Sequence, residues 1–179
     1  LNAKGNYRAT DVQFFKTTDD ANGALNSETV NTVKQAVYNN GSVTCGITWD
    51  SSMIQEDKVS YYNNDDNARN DSNHEVLIVG WDDDYSADHF EGVTKNGAWL
   101  VRNSWGNNIG DNGYFWVSYY DPSLCEYYTF EGVSADTYQT IFQYDGNGWN
   151  NSLRSPEEVK TANVYTADGS QQLQAVAFY

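Results

Sequence analysis

Valines at 30, 33 and 37 recur at helical spacing within a proline-free stretch from 28 to 39, which puts them on one face of an amphipathic helix. Ser27 is placed as an N-cap before that helix, and Asn39-Asn40-Gly41 supplies a C-terminal stop. From Val43 the period shortens to two, through Cys45, Ile47 and Trp49, so the helix leads into a half-buried strand. Asn, Asp and Ser crowd positions 50 to 73, which predicts loops with little regular structure.

His74 to Trp81 is apolar on both parities, at Val76, Leu77, Ile78 and Val79, the pattern of a central strand covered on both faces. A polar loop from Asp82 to Gly97 follows. Ala98 to Arg102 and Tyr114 to Tyr120 then read as aromatic-rich strands separated by the glycine-bearing segment Asn103 to Gly113, a sheet or barrel meander. Glu131 to Asp136 is short, small and polar, and marks a boundary between a domain of 1–131 and a module of 132–179. Within that module, Val164 to Ala167 and Ser170 to Tyr179 flank Asp168-Gly169, a dipeptide suited to a two-residue hairpin turn.

Composition sharpens the class. Aromatics form 15% of the chain, with 14 Tyr and 6 Trp beside 2 Pro, which favours more sheet than helix. The balance of 25 acidic against 10 basic residues gives a formal charge of −15, which argues against nucleic acid or an anionic membrane as partner. No apolar run approaches the ~18 to 20 residues of a membrane span. Two cysteines, Cys45 and Cys125, are too few for a disulfide framework, and each reads as a small buried side chain.

The informative lines are Asn73-His74-Glu75-Val76-Leu77-Ile78-Val79-Gly80-Trp81 and Gly97-Ala98-Trp99-Leu100-Val101-Arg102-Asn103-Ser104-Trp105-Gly106, followed by Gly113-Tyr114-Phe115-Trp116. Read singly, His74 is an ordinary surface or core residue, Asn103 a turn residue and Trp105 a core residue. In combination and in this order they resemble the papain-like cysteine peptidases, and the likeness covers roughly 28 to 120 without a break. The resemblance implies a mainly β, α+β fold, the right-hand antiparallel β-barrel domain of that family with one helix.

It also implies a chemistry. A cysteine thiol is mostly protonated at neutral pH, and the family pairs it with an imidazole that makes it a thiolate and later returns the proton. His74 matches that imidazole. An amide oxygen on the far N–H fixes tautomer and ring angle without adding charge, and Asn103 matches it. Trp105 matches the tryptophan that covers the Asn–His hydrogen bond and keeps water from it. No metal or other cofactor is implied, and His89, in a polar loop, is read as solvated.

Cys45-Gly46-Ile47-Thr48-Trp49 is superficially similar to the segment around the family's nucleophile, but Thr48 stands where the reactive cysteine belongs and the segment alternates like a strand. Cys125 follows both other motifs, against the family's order. With about 130 to 150 residues expected between nucleophile and histidine, the true cysteine is expected about 55 to 75 residues before Leu1, on a helical left-hand half that would be a partner of this one. Two departures stand out: Glu75, where a small or apolar residue is usual, and Ile109, where a second tryptophan is common.

The tail, from Tyr138 through Gln143-Tyr144-Asp145-Gly146 and Ala162-Asn163-Val164-Tyr165 to Leu173–Tyr179, is similar to the start of the β-rich lectin-like module that follows the peptidase in some clostridial surface proteases. That likeness implies a glycan partner, and the competing reading is extra strands closing the peptidase domain. Asp82-Asp83-Asp84 and Asn63-Asn64-Asp65-Asp66 lack the glycine and closing glutamate of a hand-like calcium loop and read as solvated. The expectation is an extracellular or cell-surface bacterial endopeptidase acting on protein or peptide. The competing expectation is a catalytically inactive pseudo-peptidase serving as a lectin-like adhesion module.

Overall fold

Helix α1, Ser27–Asn40, forms where the valine period places it. Its cap is Asn26 rather than Ser27: the Asn26 side chain accepts from the Thr29 N–H, and Gly41 closes the helix in the left-handed conformation at φ 83°. Asn26 takes the role because its extended backbone leaves its amide oxygen facing the first free N–H groups, whereas Ser27 is already helical. The computed structural model describes residues 7–15, 26–65, 68, 72–134, 164–167 and 169–173.

The strands are β1 (Tyr7–Phe14), β2 (Val43–Ile47), β3 (Ser60–Tyr61), β4 (His74–Asp82), β5 (Ala98–Arg102), β6 (Tyr114–Ser118) and β7 (Cys125–Ser134). They form one sheet in the order β1-β7-β2-β4-β5-β6-β3, with β4 in the middle as its apolar run requires. The sheet is open in its pairing rather than closed into a barrel, because β1 and β3 each pair on one side. It is also not purely antiparallel, since β3 runs parallel to β6, pairing Ser60 with Trp116 and Tyr61 with Val117. The two-residue β3 lies inside the stretch expected to be loop, and so short a strand leaves no period to read.

The chain packs as two units, Val12–Glu131 and the pair Leu1–Asp11 with Gly132–Tyr179. The core and candidate site lie wholly in Val12–Glu131. There Val33, Ala36 and Val37 of α1 are buried with Val43, Cys45 and Ile47 of β2, Val76 and Ile78 of β4, and Trp99, Val101, Phe115 and Val117 of β5 and β6. Full burial of each valine or isoleucine contributes about 1.5 to 3 kcal/mol. The opposite face of β4 is only half covered, at Leu77 and Val79.

In the other unit, Val164–Ala167 and Gly169–Leu173 carry no strand, contrary to the expected hairpin. Gly169 donates its N–H to the Ala167 carbonyl at 3.1 Å with φ 89°. Val164 and Leu173 are largely exposed, and without an apolar face to cover, alternation alone holds no strand. Asp168, the stretch 135–163 and the stretch 174–179 lie outside the described residues.

Candidate active site

Strand alternation decides which side chains reach the site. His74 pairs with Ile47 across β2 and β4, and so faces the same side as buried Val76 and Ile78. One step past β5, Asn103 continues the buried face of Val101 and is itself only 4% exposed. The two side chains meet: His74 Nε2 lies 3.0 Å from Asn103 Oδ1. Asn103 Oδ1 also accepts from the Ser104 backbone N–H at 2.7 Å, which fixes the amide orientation. With an acceptor opposite, Nε2 carries the hydrogen of the neutral ring, and Nδ1 keeps its lone pair for a proton.

Trp105 stacks on the imidazole, with ring centroids 4.5 Å apart and planes at 23°. It is 45% exposed, so it covers one face of the ring rather than sinking into the core. A second tryptophan flanks it, and that residue is Trp49, just past β2, where the sequence pattern had shown only a strand residue. Trp49 meets Trp105 edge-on at 5.2 Å and His74 at 6.0 Å, and stacks on Tyr61 at 4.5 Å. Its backbone is clamped by Asn73, whose Oδ1 accepts from the Trp49 N–H at 2.8 Å while its Nδ2 donates to the Trp49 carbonyl at 3.2 Å. The residue before His74 therefore ties the aromatic cluster to the imidazole.

The loop after Asn103 is held by Arg102. Its guanidinium donates to the Asn112 carbonyl and, at 2.9 Å, to Asn107 Oδ1, and it lies over the Tyr114 ring at 4.6 Å. Gly113 closes the loop by accepting from the Asn103 N–H at 2.9 Å. At φ 86°, any Cβ there would strike the Arg102 guanidinium and the Gly106 carbonyl, so only glycine fits.

Neither cysteine of the chain is part of this cluster. Cys45 is wholly buried in the core, and burial pushes its thiol far above the usual range. Cys125 is half-buried and its thiol is also raised, first by burial. The unusual Glu75 points away from His74's side of the strand and accepts from the Tyr128 hydroxyl at 2.7 Å. That contact, after burial, raises the Tyr128 phenol. His89 is not simply solvated, since its Nδ1 lies 3.0 Å from Asp57 Oδ2. Asn63 is buried too, donating to the Thr48 carbonyl at 3.1 Å. Asp83 engages the Lys34 ammonium and the Tyr119 hydroxyl. Among the described residues no group of three or more His, Cys, Asp or Glu is arranged for a metal ion, and no helix is long and apolar enough to cross a membrane.

The model of the papain family of cysteine proteases matches residues 3–132. The chain belongs to that family. As a papain-family chain it is similar to the cysteine protease and lectin-like domains of Cwp84, a surface layer associated protein of Clostridium difficile. That likeness holds at 35% identity and a TM-score of 0.59, over 75% of this chain and 28% of that one. It is 39% identical over 101 residues to serine-repeat antigen protein 5 of Plasmodium falciparum, over 55% of this chain and 9% of that protein. It is 37% identical over 82 residues to cathepsin S of Bos taurus, over 46% of this chain and 22% of that protein. The chain thus spans less than a third of the length of each of these relatives.

Proposed function

We propose that the chain is the histidine- and asparagine-bearing part of a cysteine-type endopeptidase, which hydrolyses peptide bonds by acyl transfer with a nucleophilic cysteine supplied from outside this chain. The observation that carries the reading is the 3.0 Å contact of His74 Nε2 with Asn103 Oδ1, which leaves Nδ1 free as a base. In this scheme Nδ1 takes the thiol proton. The thiolate attacks the scissile carbonyl, the imidazolium then protonates the leaving amine, and water is activated by the same nitrogen to release the acyl group. Asn103 holds the ring and Trp105 shields it. Replacing His74 with Ala in the complete protein is expected to abolish peptide hydrolysis and labelling by a thiol-directed epoxide while the thermal melt is retained. Hydrolysis at the original rate would overturn the assignment.

The likeness to Cwp84 supports a place outside the cell or on its surface, and a lectin-like module with a glycan ligand after residue 131. The burial of Cys45 and the raised thiol of Cys125 favour a second reading, a pseudo-peptidase that keeps the fold for adhesion. Intact mass with and without the epoxide separates the two. A single label that depends on His74 supports the peptidase, and glycan binding with no label supports the adhesion module.

A further inference from the structure

Beside the His74 ring the surface sinks into a cavity of about 590 Å³ lined by Ser72, Asn73, His74, Glu75 and Glu126. The strands carrying these residues meet at Gly46, which pairs with Glu75 of β4 on one side and Cys125 of β7 on the other. A Cβ at Gly46 would stand 2.7 Å from Ser72 Oγ and 2.9 Å from Cys125 Sγ, so the glycine lets β4 and β7 bring their side chains together. Apart from the imidazole, both titratable groups lining the cavity are carboxylates. Glu75 accepts from the Tyr128 hydroxyl, and among the described residues neither Glu75 nor Glu126 is paired with a lysine or arginine. Glu126 also holds φ at +51°, a left-handed backbone uncommon outside glycine and often retained at ligand sites.

This is more than an acidic patch, because the imidazole forms one of its walls. Any peptide presented to a thiolate paired with His74 must run along that wall. We infer that the cavity receives a basic side chain of the substrate near the scissile bond, so that the peptidase selects lysine or arginine there; the inference rests on the peptidase reading above. An ammonium or guanidinium would form charge-assisted hydrogen bonds with both carboxylates. An acidic side chain would meet like charge, and a neutral one would desolvate the carboxylates without replacing their water.

The test is kcat/KM of the complete protein on peptides that vary one residue at a time among Arg, Lys, Gln, Leu and Glu around the cleaved bond. At one position Arg and Lys are expected to exceed Gln by about 10- to 100-fold, the range for hydrogen bonds to charged groups. The Glu75→Gln, Glu126→Gln double variant is expected to bring that ratio close to one, with its thermal melt as the check on folding. In the unaltered protein, raising salt is expected to narrow the same ratio. Hydrolysis with no basic preference at any position, or a preference untouched by both the double variant and salt, would overturn the inference and leave the peptidase reading standing. No hydrolysis and no His74-dependent thiol label would overturn both.

Discussion

Asp121 is 1% exposed, and its carboxylate accepts from the Asn63 N–H at 2.8 Å, the Ser123 N–H at 2.9 Å and the Ser123 hydroxyl at 2.6 Å. Burial outweighs these three donors and pushes its carboxyl from 3.8 up to about 6. The folded state therefore binds this proton more tightly than the unfolded chain. The associated stability is fully present below about pH 4 and is lost as pH rises through about 6, by roughly 3 kcal/mol at most. Urea melts from pH 4 to pH 7 should show that decline, and Asp121→Asn should flatten it; equal slopes would remove Asp121 as the cause. At the candidate site, Asn103 acts through the imidazole. Asn103→Ala is expected to lower kcat by about 10- to 100-fold with KM little changed, the size of one lost hydrogen bond to a charged group. Steady-state kinetics of the complete protein would check it, and a change confined to KM would contradict a positioning role.

At the scale of elements, the loop from Asn103 to Gly113 is what presents Asn103 and Trp105, and it is braced by Arg102 on one side and closed by Gly113 on the other. Gly113→Ala should destabilise the protein by more than about 1 kcal/mol, since the site demands a positive φ and has no room for a methyl group. It should also reduce hydrolysis with the loop's displacement. Thermal melts and rates measured together test this, and an unchanged melt would refute it. Helix α1 and strands β2, β4, β5 and β6 were legible because each keeps one hydrophobic period over five residues or more. The N-cap was misplaced by one residue, because Asn26 and Ser27 are both good capping types and only backbone conformation distinguishes them. The tail hairpin failed for a different reason: turn chemistry at Asp168-Gly169 was present, but Val164 and Leu173 bury nothing.

Over the whole molecule, burial ranks the two thiols. Cys45 lies within the core cluster and Cys125 at its margin. Iodoacetamide should therefore modify Cys125 slowly in the native protein and Cys45 only after global unfolding, which peptide mass mapping with and without denaturant can follow. Rapid native labelling of Cys45 would contradict the packing. The same packing makes β4 the sheet's middle strand, and so sets His74 at the end of a rigid core rather than on a free loop.

The sequence by itself determined the local periods, the glycine-marked turns and the two motifs that show which family the chain resembles, because these depend on residues within a turn or a strand of one another. The tertiary structure alone decided what meets across the sheet. It set Asn103 against His74, 29 residues away, and Asn63 over Asp121, 58 residues away. It brought Trp49 under Trp105 and Glu126 to the cavity beside the imidazole. Such contacts follow from strand order, register and bulges, and a one-residue slip would reverse every side chain. That information is not held in any short stretch of the chain.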